Sequence, residues 1–287
     1  MLKKILVPTD GSPESAWAIP VAEKLAVDHG ARALLVQVLQ YPDPGKRLRS
    51  AQREQMLELS TELARSNLDA LAARFRSSGI EVESSLLFGS PAGGLLDVEV
   101  EQHPDLVVMS THGHTGVARF ALGSVADRVV REGLAPVLLV RGPVADLTFA
   151  RALVMLDGSG VAEAALPMIE ELTAHPITSV VLFRAITDSE DRVAATTYFL
   201  GVKERLTGSG LQIELSVEVG DPTELIRHAS EGVDVIVLAT HGRGGFNRFR
   251  HGSVAERIVR EADKPVLLVR AGVLSVEPDT DRGAARY

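Results

Sequence analysis

Short apolar runs alternate with longer amphipathic stretches along the whole chain. The apolar runs are nearly continuous, as at residues 5–7, 34–38, 105–109 and 136–141. Continuous runs are typical of strands in a parallel sheet that helices cover on both faces. Residues 125–132 keep their apolar positions on one helical face, with charged residues spaced four apart on the other. Strands alternating with helices predict βαβ units and a doubly wound α/β sheet.

The same order of elements occurs twice, which predicts two domains. Each half reads strand, helix, strand, long helix, strand, helix, strand, loop, helix, strand. The closing run Pro-Val-Leu-Leu-Val-Arg is repeated letter for letter at 136–141 and 265–270. We therefore predict domains at 1–142 and 149–271, joined by a short linker, and a loose polar tail at 272–287. Residues 41–49 form the most loop-like stretch inside a domain.

One loop motif is also present in both halves. Thr-His-Gly follows the fourth strand, nine residues come next, and a Gly-Ser pair then opens a helix. The glycines and serines concerned are Gly113, Gly123 and Ser124 in the first half and Gly242, Gly252 and Ser253 in the second. A strand that passes through such a loop into a helix presents free backbone N–H groups and the positive end of the helix dipole. The spacing favours a phosphate site, and the alternative is a structural turn in which serine caps the helix.

Aspartates follow the first strand of each half. Asp10 and Asp157 both precede Gly-Ser, at the carboxyl end of a strand, where ligands of open α/β sheets bind. The alternative, equally open, is a helix cap aided by Ser12 and Ser159.

The histidines and arginines near the repeated loop give weaker signals. His112 and His241 each stand beside glycine without a cysteine or acidic partner, which favours a structural role over a catalytic one. His112 and His114 would need a third ligand to hold a metal. The arginines of the two loops are either solvated or phosphate-facing; they are Arg119, Arg243, Arg248 and Arg250.

Composition removes several functional classes. The net charge of −8 argues against a nucleic-acid partner, and the absence of cysteine excludes disulfides, zinc–thiolate sites and thiol catalysis. The apolar run at residues 5–7 is too short for a signal peptide, and no stretch approaches the roughly 18 apolar residues of a membrane span. We expect a cytoplasmic protein that binds neither nucleic acid nor membrane. Phosphate-loop, dinucleotide-fold and nucleophile-elbow motifs are missing, which favours a sensor over a fast catalyst.

A set of motifs in the same order in both halves makes the chain resemble a tandem universal stress protein. They include the opening Val-Pro-Thr-Asp-Gly-Ser, the Gly-x-Pro, the repeated loop and the closing strand, and they cover about residues 2–142 and 150–271. The resemblance implies a five-stranded parallel sheet of the adenine-nucleotide-hydrolase-like class in each half. It also implies that the closing strands pair, as in the usual dimers of the family, to give a pseudo-dimer within one chain. Proline at the start of those strands is typical of sheet edges, which proteins rarely leave bare.

The resemblance further implies which residues would hold a nucleotide. Some family members bind ATP and others bind none; the binding signature is Gly, two residues, Gly, nine residues, Gly-Ser/Thr. Here Ser110 and Ala239 replace its first glycine. The implied positions are Asp10, Val38, Met109, Ser110, Gly113, Gly123, Ser124 and Val125 in the first half. In the second half they are Asp157, Ala185, Leu238, Ala239, Gly242, Gly252, Ser253 and Val254. A divalent ion, Mg²⁺ in the simplest case, is expected with the phosphates.

Three functions remain open at this stage. The first is an adenine-nucleotide-binding stress sensor or regulator, the second a slow ATPase or self-phosphorylating protein, and the third a nucleotide-free interaction module. We expect the first half to bind more tightly, because the second lacks the counterparts of Pro8 and Thr9 and has a shorter segment after its second strand. The extra arginines of the second loop would attract phosphate from a distance without orienting it.

Overall fold

The computed structural model describes residues 1–41, 50–111, 122–172, 177–240 and 254–272. In the first half the strands are β1 (Lys4–Pro8), β2 (Arg32–Leu39), β3 (Val82–Phe88), β4 (Leu106–Ser110) and β5 (Val137–Val140). The helices between them are α1 (Ala18–His29), α2 (Ser50–Ser77), α3 (Pro91–Gln102) and α4 (Ser124–Glu132). The predicted element order of the first half is confirmed.

The second half repeats this order. Its strands are β6 (Arg151–Met155), β7 (Ser179–Ile186), β8 (Gln212–Val219), β9 (Val235–Thr240) and β10 (Val266–Arg270). Its helices are α5 (Leu166–Leu172), α6 (Arg192–Arg205), α7 (Pro222–Ser230) and α8 (Val254–Glu261). The helix after the second strand has 14 residues in this half and 28 in the first, so the expectation of a long helix at this point holds for the first half alone.

Ten strands form one continuous sheet in the order β3-β2-β1-β4-β5-β10-β9-β6-β7-β8. Every neighbouring pair is parallel except β5 and β10, which are antiparallel. The two closing strands therefore pair with each other, and the predicted pseudo-dimer is confirmed. Val137, Leu138 and Leu139 lie opposite Leu268, Leu267 and Val266.

Strand residues alternate between two cores, one on each face of the sheet. Ile5 and Val7 pack with residues of α1 and α2, whereas Leu6 packs with residues of α3 and α4. Both cores contain buried residues from each half, so the apolar interior is continuous across the junction of β5 and β10. This double burial explains why the strands read as unbroken apolar runs.

The Gly-x-Pro motif marks the start of a helix in both halves. The side chain of Asp221 accepts hydrogen bonds from the backbone N–H of Thr223 at 2.9 Å and of Glu224 at 3.1 Å. Ser90 caps α3 in the equivalent place, and proline follows the cap each time, where its missing N–H costs nothing. The motif has a structural role in positioning α3 and α7.

Two arginines form hydrogen bonds between the halves. Arg141, which follows β5, donates through Nη1 to the carbonyl oxygen of Val259 in α8 at 2.9 Å. Arg270, at the end of β10, donates to the carbonyl oxygen of Gly133 at the end of α4. Each arginine reaches into the opposite half near the carboxyl end of a helix, where a positive charge is favoured.

The predicted linker and ion pairs also have observed counterparts. Val144 and Leu147, between the halves, pack against the core. On α4, Asp127 pairs with Arg131 at 2.8 Å and Arg128 with Glu132 at 3.1 Å. Most of the predicted loop at 41–49 and of the tail at 272–287 lies outside the described residues. No helix within the described ranges is long and apolar enough to cross a membrane.

Candidate functional site

The strand order creates a topological switch point between β1 and β4 in the first half. The chain leaves β1 toward β2 on one side, and β4 continues toward β5 on the other. Ligands of open α/β sheets bind in the crevice at the carboxyl ends of strands that flank such a point. Asp10 follows β1. Ser110 is the last residue of β4, and the repeated loop follows it in the sequence. Asp10 and Ser110 therefore flank this crevice.

The strand register brings the ends of three strands to the same height. Pro8 pairs with Val36 in β2, and Leu6 pairs with Val107 in β4. Extending the first of these registers by two residues places Asp10 level with Val38. Extending the second by four residues places Asp10 level with Thr111. Three neighbouring strands thus end at one edge, with Asp10 on the central one.

Asp10 forms the turn that leads from β1 to α1. Its Oδ1 accepts hydrogen bonds from the N–H of Ser12 at 3.0 Å and from the Ser12 hydroxyl at 2.5 Å. Ser12 Oγ in turn accepts from the N–H of Ser15 at 3.0 Å. The bonds required by the capping interpretation are therefore present. Asp10 itself is half-buried at the edge of the crevice, so this role leaves a ligand role open.

The start of α4 does not match the alternative in which serine caps the helix. Gly123 is the N-cap residue and Ser124 is the first residue of the helix, exposed and without a side-chain capping bond. Gly123 adopts φ −59° and ψ 148°, a conformation open to any residue. Its glycine identity is therefore not required by the backbone. The reason for glycine at this position is therefore its lack of a side chain.

The N–H of Gly123 donates to the carbonyl oxygen of Thr111 at 2.8 Å. This bond joins the beginning and the end of the repeated loop, and it holds the start of α4 against the end of β4. It also corrects one expectation, because the Gly123 amide already has a partner within the protein. The amides of Ser124 and Val125 come before the first intrahelical bond, which runs from Asp127 N to Gly123 O at 2.8 Å.

The other described positions of the first half lie near the same edge and are buried to different depths. Met109 and Ser110 are buried at the end of β4. Val38 and Val125 are half-buried and pack against the core beneath α3 and α4. A Cβ added to Gly94 of α3 would lie 3.3 Å from Val38 Cγ2, so glycine lets α3 approach Val38 closely.

The turn that carries the aspartate is repeated in the second half, where the aspartate is more exposed. Asp157 Oδ1 accepts from the N–H of Ser159 at 2.8 Å, and Ser159 Oγ accepts from the N–H of Ala162 at 3.1 Å. Burial raises the pKa of Asp157, but the hydrogen bonds from Ser159 and the charge of Arg184 together hold it below its ordinary value. The other described positions lie at the ends of β7 and β9 and at the start of α8; they are Ala185, Leu238, Ala239 and Val254.

Part of the predicted site lies outside the described residues. This applies to the glycines and serine Gly113, Gly242, Gly252 and Ser253, to His112, His114 and His241, and to Arg119, Arg243, Arg248 and Arg250. Within the described ranges, no three His, Asp or Glu side chains converge to hold a metal ion.

The structure adds residues that the sequence did not single out. Gln37 and Asn67 pack against Gly11 in the first half, and Arg184 packs against Gly158 in the second. Both glycines have positive φ, +77° and +91°, in the turn that carries the aspartate. The sequence did carry a signal for one of these residues, because Gln37 is a polar residue inside an apolar strand.

The Thr9 hydroxyl forms hydrogen bonds within the turn of the first half. It lies 3.1 Å from Ser15 Oγ and accepts from the N–H of Gly11 at 3.1 Å. Thr9 is buried, and Leu156 takes its place in the second half. Its absence there removes the hydrogen bonds that Thr9 forms within the turn.

A separate cleft of about 320 Å³ lies between α3 and the strands β2 and β3. It is lined by apolar strand residues and by Glu83, Asp97 and Glu101. None of the predicted nucleotide positions belongs to its wall, so this cleft is distinct from the crevice at the switch point.

Comparison with known proteins agrees with this architecture. The sequence profile of the universal stress protein family matches residues 1–141 and again residues 148–270. A universal stress protein of Methanocaldococcus jannaschii is 32% identical over 143 residues, which cover 50% of this chain and 84% of that protein. One of Mycolicibacterium smegmatis is 26% identical over 286 residues, covering 93% of this chain and 96% of that protein.

A solved structure resembles the whole chain. The crystal structure of a universal stress protein from Archaeoglobus fulgidus has a TM-score of 0.75 at 20% identity, covering 94% of this chain and 98% of that one. At that identity the likeness concerns the fold. Together with the two family matches it shows that the chain belongs to the universal stress protein family and carries two domains of that family in tandem.

Proposed function

We propose that this protein binds an adenine nucleotide, ATP or a close relative, in the crevice between the carboxyl ends of β1 and β4. The observation that carries the proposal is the position of the α4 N-terminus, which the bond from Gly123 N to Thr111 O holds directly at the switch point. A helix N-terminus at that place offers unbonded amides and a positive dipole end to an anion.

The phosphates would lie over the first turn of α4. The amides of Ser124 and Val125 and the exposed Ser124 hydroxyl are the donors that the described residues offer there. The amide of Gly123 is not among these donors, because it is bonded within the protein. The role that we propose for Gly123 is to leave space for the phosphates, since it has no side chain. Magnesium would neutralise part of the phosphate charge, and phosphates with water would supply most of its oxygen ligands.

The nucleoside would lie over the ends of β1 and β2. Asp10 stands on the central strand, level with Val38 on the neighbouring one. A carboxylate can accept hydrogen bonds from ribose hydroxyls or from an amino group, and a half-buried valine offers an apolar surface to a base. These groups form the mixture of apolar wall and few polar contacts that small-molecule sites use.

The biological role that we propose is that of a cytoplasmic stress-response sensor or regulator, in which nucleotide occupancy alters partner binding. The units would be domains at 1–142 and 149–271 with a tail at 272–287. Asp10, a carboxylate at the crevice of the first half, is hydrogen-bonded into a turn. The Ser12 hydroxyl that donates to Asp10 is itself buried within that turn, so this pair does not present an activated nucleophile to a ligand.

Mass spectrometry of denatured protein, purified without added nucleotide, tests the proposal together with binding of MgATP by equilibrium dialysis. Retained or added adenine nucleotide at a simple ratio to chains supports it. Absence of binding at millimolar MgATP contradicts it and favours the nucleotide-free interaction module. Timed phosphate release, compared with a Ser124→Ala/Ser253→Ala double variant, separates a sensor from a slow ATPase.

A further inference from the structure

The ten-stranded sheet ends in β3 on one side and in β8 on the other, and within the described residues each has one neighbouring strand. At the two ends of the ladder between β2 and β3, the N–H of Ala33 donates to Glu81 O and the N–H of Gly89 donates to Leu39 O, both at 2.9 Å. In a parallel ladder, alternate residues bond to the neighbouring strand, so residues 83, 85 and 87 bond to β2. The residues of β3 whose N–H and C=O groups point away from the sheet are Val82, Ser84, Leu86 and Phe88.

The opposite edge, along β8, is partly closed by an arginine. Arg192 of α6 donates through Nη2 to the carbonyl oxygen of Val217 at 2.9 Å, and by the same alternation that carbonyl points away from β7. Counted back from the Gly-x-Pro motif, Leu86 takes the place of Val217 in the first half and Thr61 takes the place of Arg192. The Thr61 hydroxyl donates to Leu57 O within its own helix at 2.7 Å. The matching residue of the first half therefore does not cap the edge of β3.

The sequence of β3 also differs from that of a protected edge. Charged side chains and proline are the usual means by which proteins keep strand edges from pairing. Residues 84–88 read Ser-Ser-Leu-Leu-Phe, whereas the matching stretch of β8 includes Glu218. Ser84 and Ser85 are exposed, and the Phe88 ring, 41% exposed, stacks on Tyr41 with 5.8 Å between the ring centroids. An uncharged edge next to exposed aromatic rings is typical of a surface that binds protein.

The cleft of about 320 Å³ runs beside this edge, on the face of the sheet that α3 covers. Its polar walls include Asp97 and Glu101, which are exposed and one turn apart on α3, and Glu83, which pairs with Arg32 at 3.0 Å. Residues 83, 85 and 87 of β3 line the cleft, so every second side chain of a strand added to β3 would lie over it. The apolar lining residues include Leu34, Val36, Leu87 and Val98.

We infer that β3 is a docking edge for an extended segment of another protein, which adds to the sheet as an eleventh strand and places apolar and basic side chains over the cleft. The outward N–H and C=O groups of β3 require an extended backbone as their partner. The carboxylates of Asp97 and Glu101 favour lysine or arginine beside the apolar positions. A second copy of this chain fits less well, because pairing of two β3 strands would bring the same carboxylates of both copies together. The inference does not depend on the nucleotide site.

Hydrogen exchange followed by NMR tests the inference on the full chain with a synthetic peptide. The probe is Thr-Lys-Thr-Val-Thr-Val-Thr-Lys-Thr, which has lysine and valine on one face when extended. We expect bound peptide to protect the amides of Ser84 and Leu86, whereas those of Ser85 and Leu87, already bonded to β2, change little. Absence of binding at millimolar peptide overturns the inference. Protection of Ser84 and Leu86 without peptide also overturns it, because the chain would then cover its own edge.

Matched variants test the charge of the partner. Asp97→Lys/Glu101→Lys should weaken peptide binding at least tenfold. Glu58→Lys/Glu62→Lys makes the same change at the same spacing on exposed positions of α2, across the sheet from the cleft, and should leave the affinity unchanged. Equal affinities of the two double variants contradict the basic partner.

Matched peptides test the addition of a strand. Two versions of the probe are N-methylated on alternate residues, so that each version loses the N–H groups of one of its edges. We expect one version alone to lose at least tenfold in affinity, because a single edge of the added strand bonds to β3. Equal affinities of the two versions contradict strand addition.

Discussion

Leu138 of the first half lies directly opposite Leu267 of the second, and these two leucines are the same residue of the repeated motif. Their neighbours pair reciprocally: Val137 faces Leu268, and Leu139 faces Val266. An approximate two-fold axis therefore passes between the leucines, as in an isologous dimer interface. The pairing covers two strand edges that would otherwise be open to association with other chains.

Truncation of either leucine should destabilise the protein by a similar amount. Leu138 and Leu267 are 3% and 2% exposed, so Leu→Ala at each should cost about 2–4 kcal/mol of unfolding free energy. Leu63→Ala, on an exposed position of α2, should cost less than about 0.5 kcal/mol. Urea unfolding measures all three. A near-zero cost at one leucine with a full cost at the other would contradict the two-fold pairing.

The two crossing arginines should differ in their contribution to stability. Arg270 is 7% exposed and bonds to Gly133 O, whereas Arg141 is only half-buried where it bonds to Val259 O. Removal of a buried charged donor leaves a desolvated carbonyl, so Arg270→Ala should cost about 2–3 kcal/mol and Arg141→Ala about 1 kcal/mol. Denaturant midpoints measure the difference. A smaller loss for Arg270→Ala than for Arg141→Ala would contradict the assigned contacts.

Glu99 should give the protein a measurable pH dependence of stability. Burial raises its pKa above the ordinary value of 4.5, although hydrogen bonds from Ala135 and Leu134 and the charge of Arg270 lower it. The folded state then holds the proton more tightly than the unfolded state. Its contribution is complete below pH 4.5 and is lost as the pH rises through the folded pKa.

The matched variant for this prediction is Glu99→Gln, which keeps an oxygen to accept from the N–H groups of Leu134 and Ala135. We expect the unfolding free energy of the natural protein, relative to this variant, to fall with pH from 4.5 up to the folded pKa and then to level off. Thermal or urea unfolding at a series of pH values measures the difference. A difference that rises with pH would show that the carboxylate, not the acid, is stabilised by folding.

Most of the fold was predictable because its signals are local and repeated. The closing strands, for example, carry the same letters, and proline at their start indicates an edge. The candidate site was predictable only in part. Two of its features depend on contacts between segments that are not adjacent in sequence. They are the hydrogen bond from Gly123 N–H to Thr111 O and the contact of Arg184 with Gly158. The two arginines that cross between halves belong to the recognised motif, but no local pattern gives the direction of their side chains.

The central claim, a nucleotide site at the start of α4, is tested most directly by calorimetric titration of MgATP into Gly123→Val. Because Gly123 has a backbone conformation that valine also adopts, this variant fills space without forcing φ and should keep the fold. We predict that Gly123→Val loses affinity for MgATP and that Gly252→Val loses less. Unchanged affinity in Gly123→Val, or a larger loss in Gly252→Val, would contradict the account.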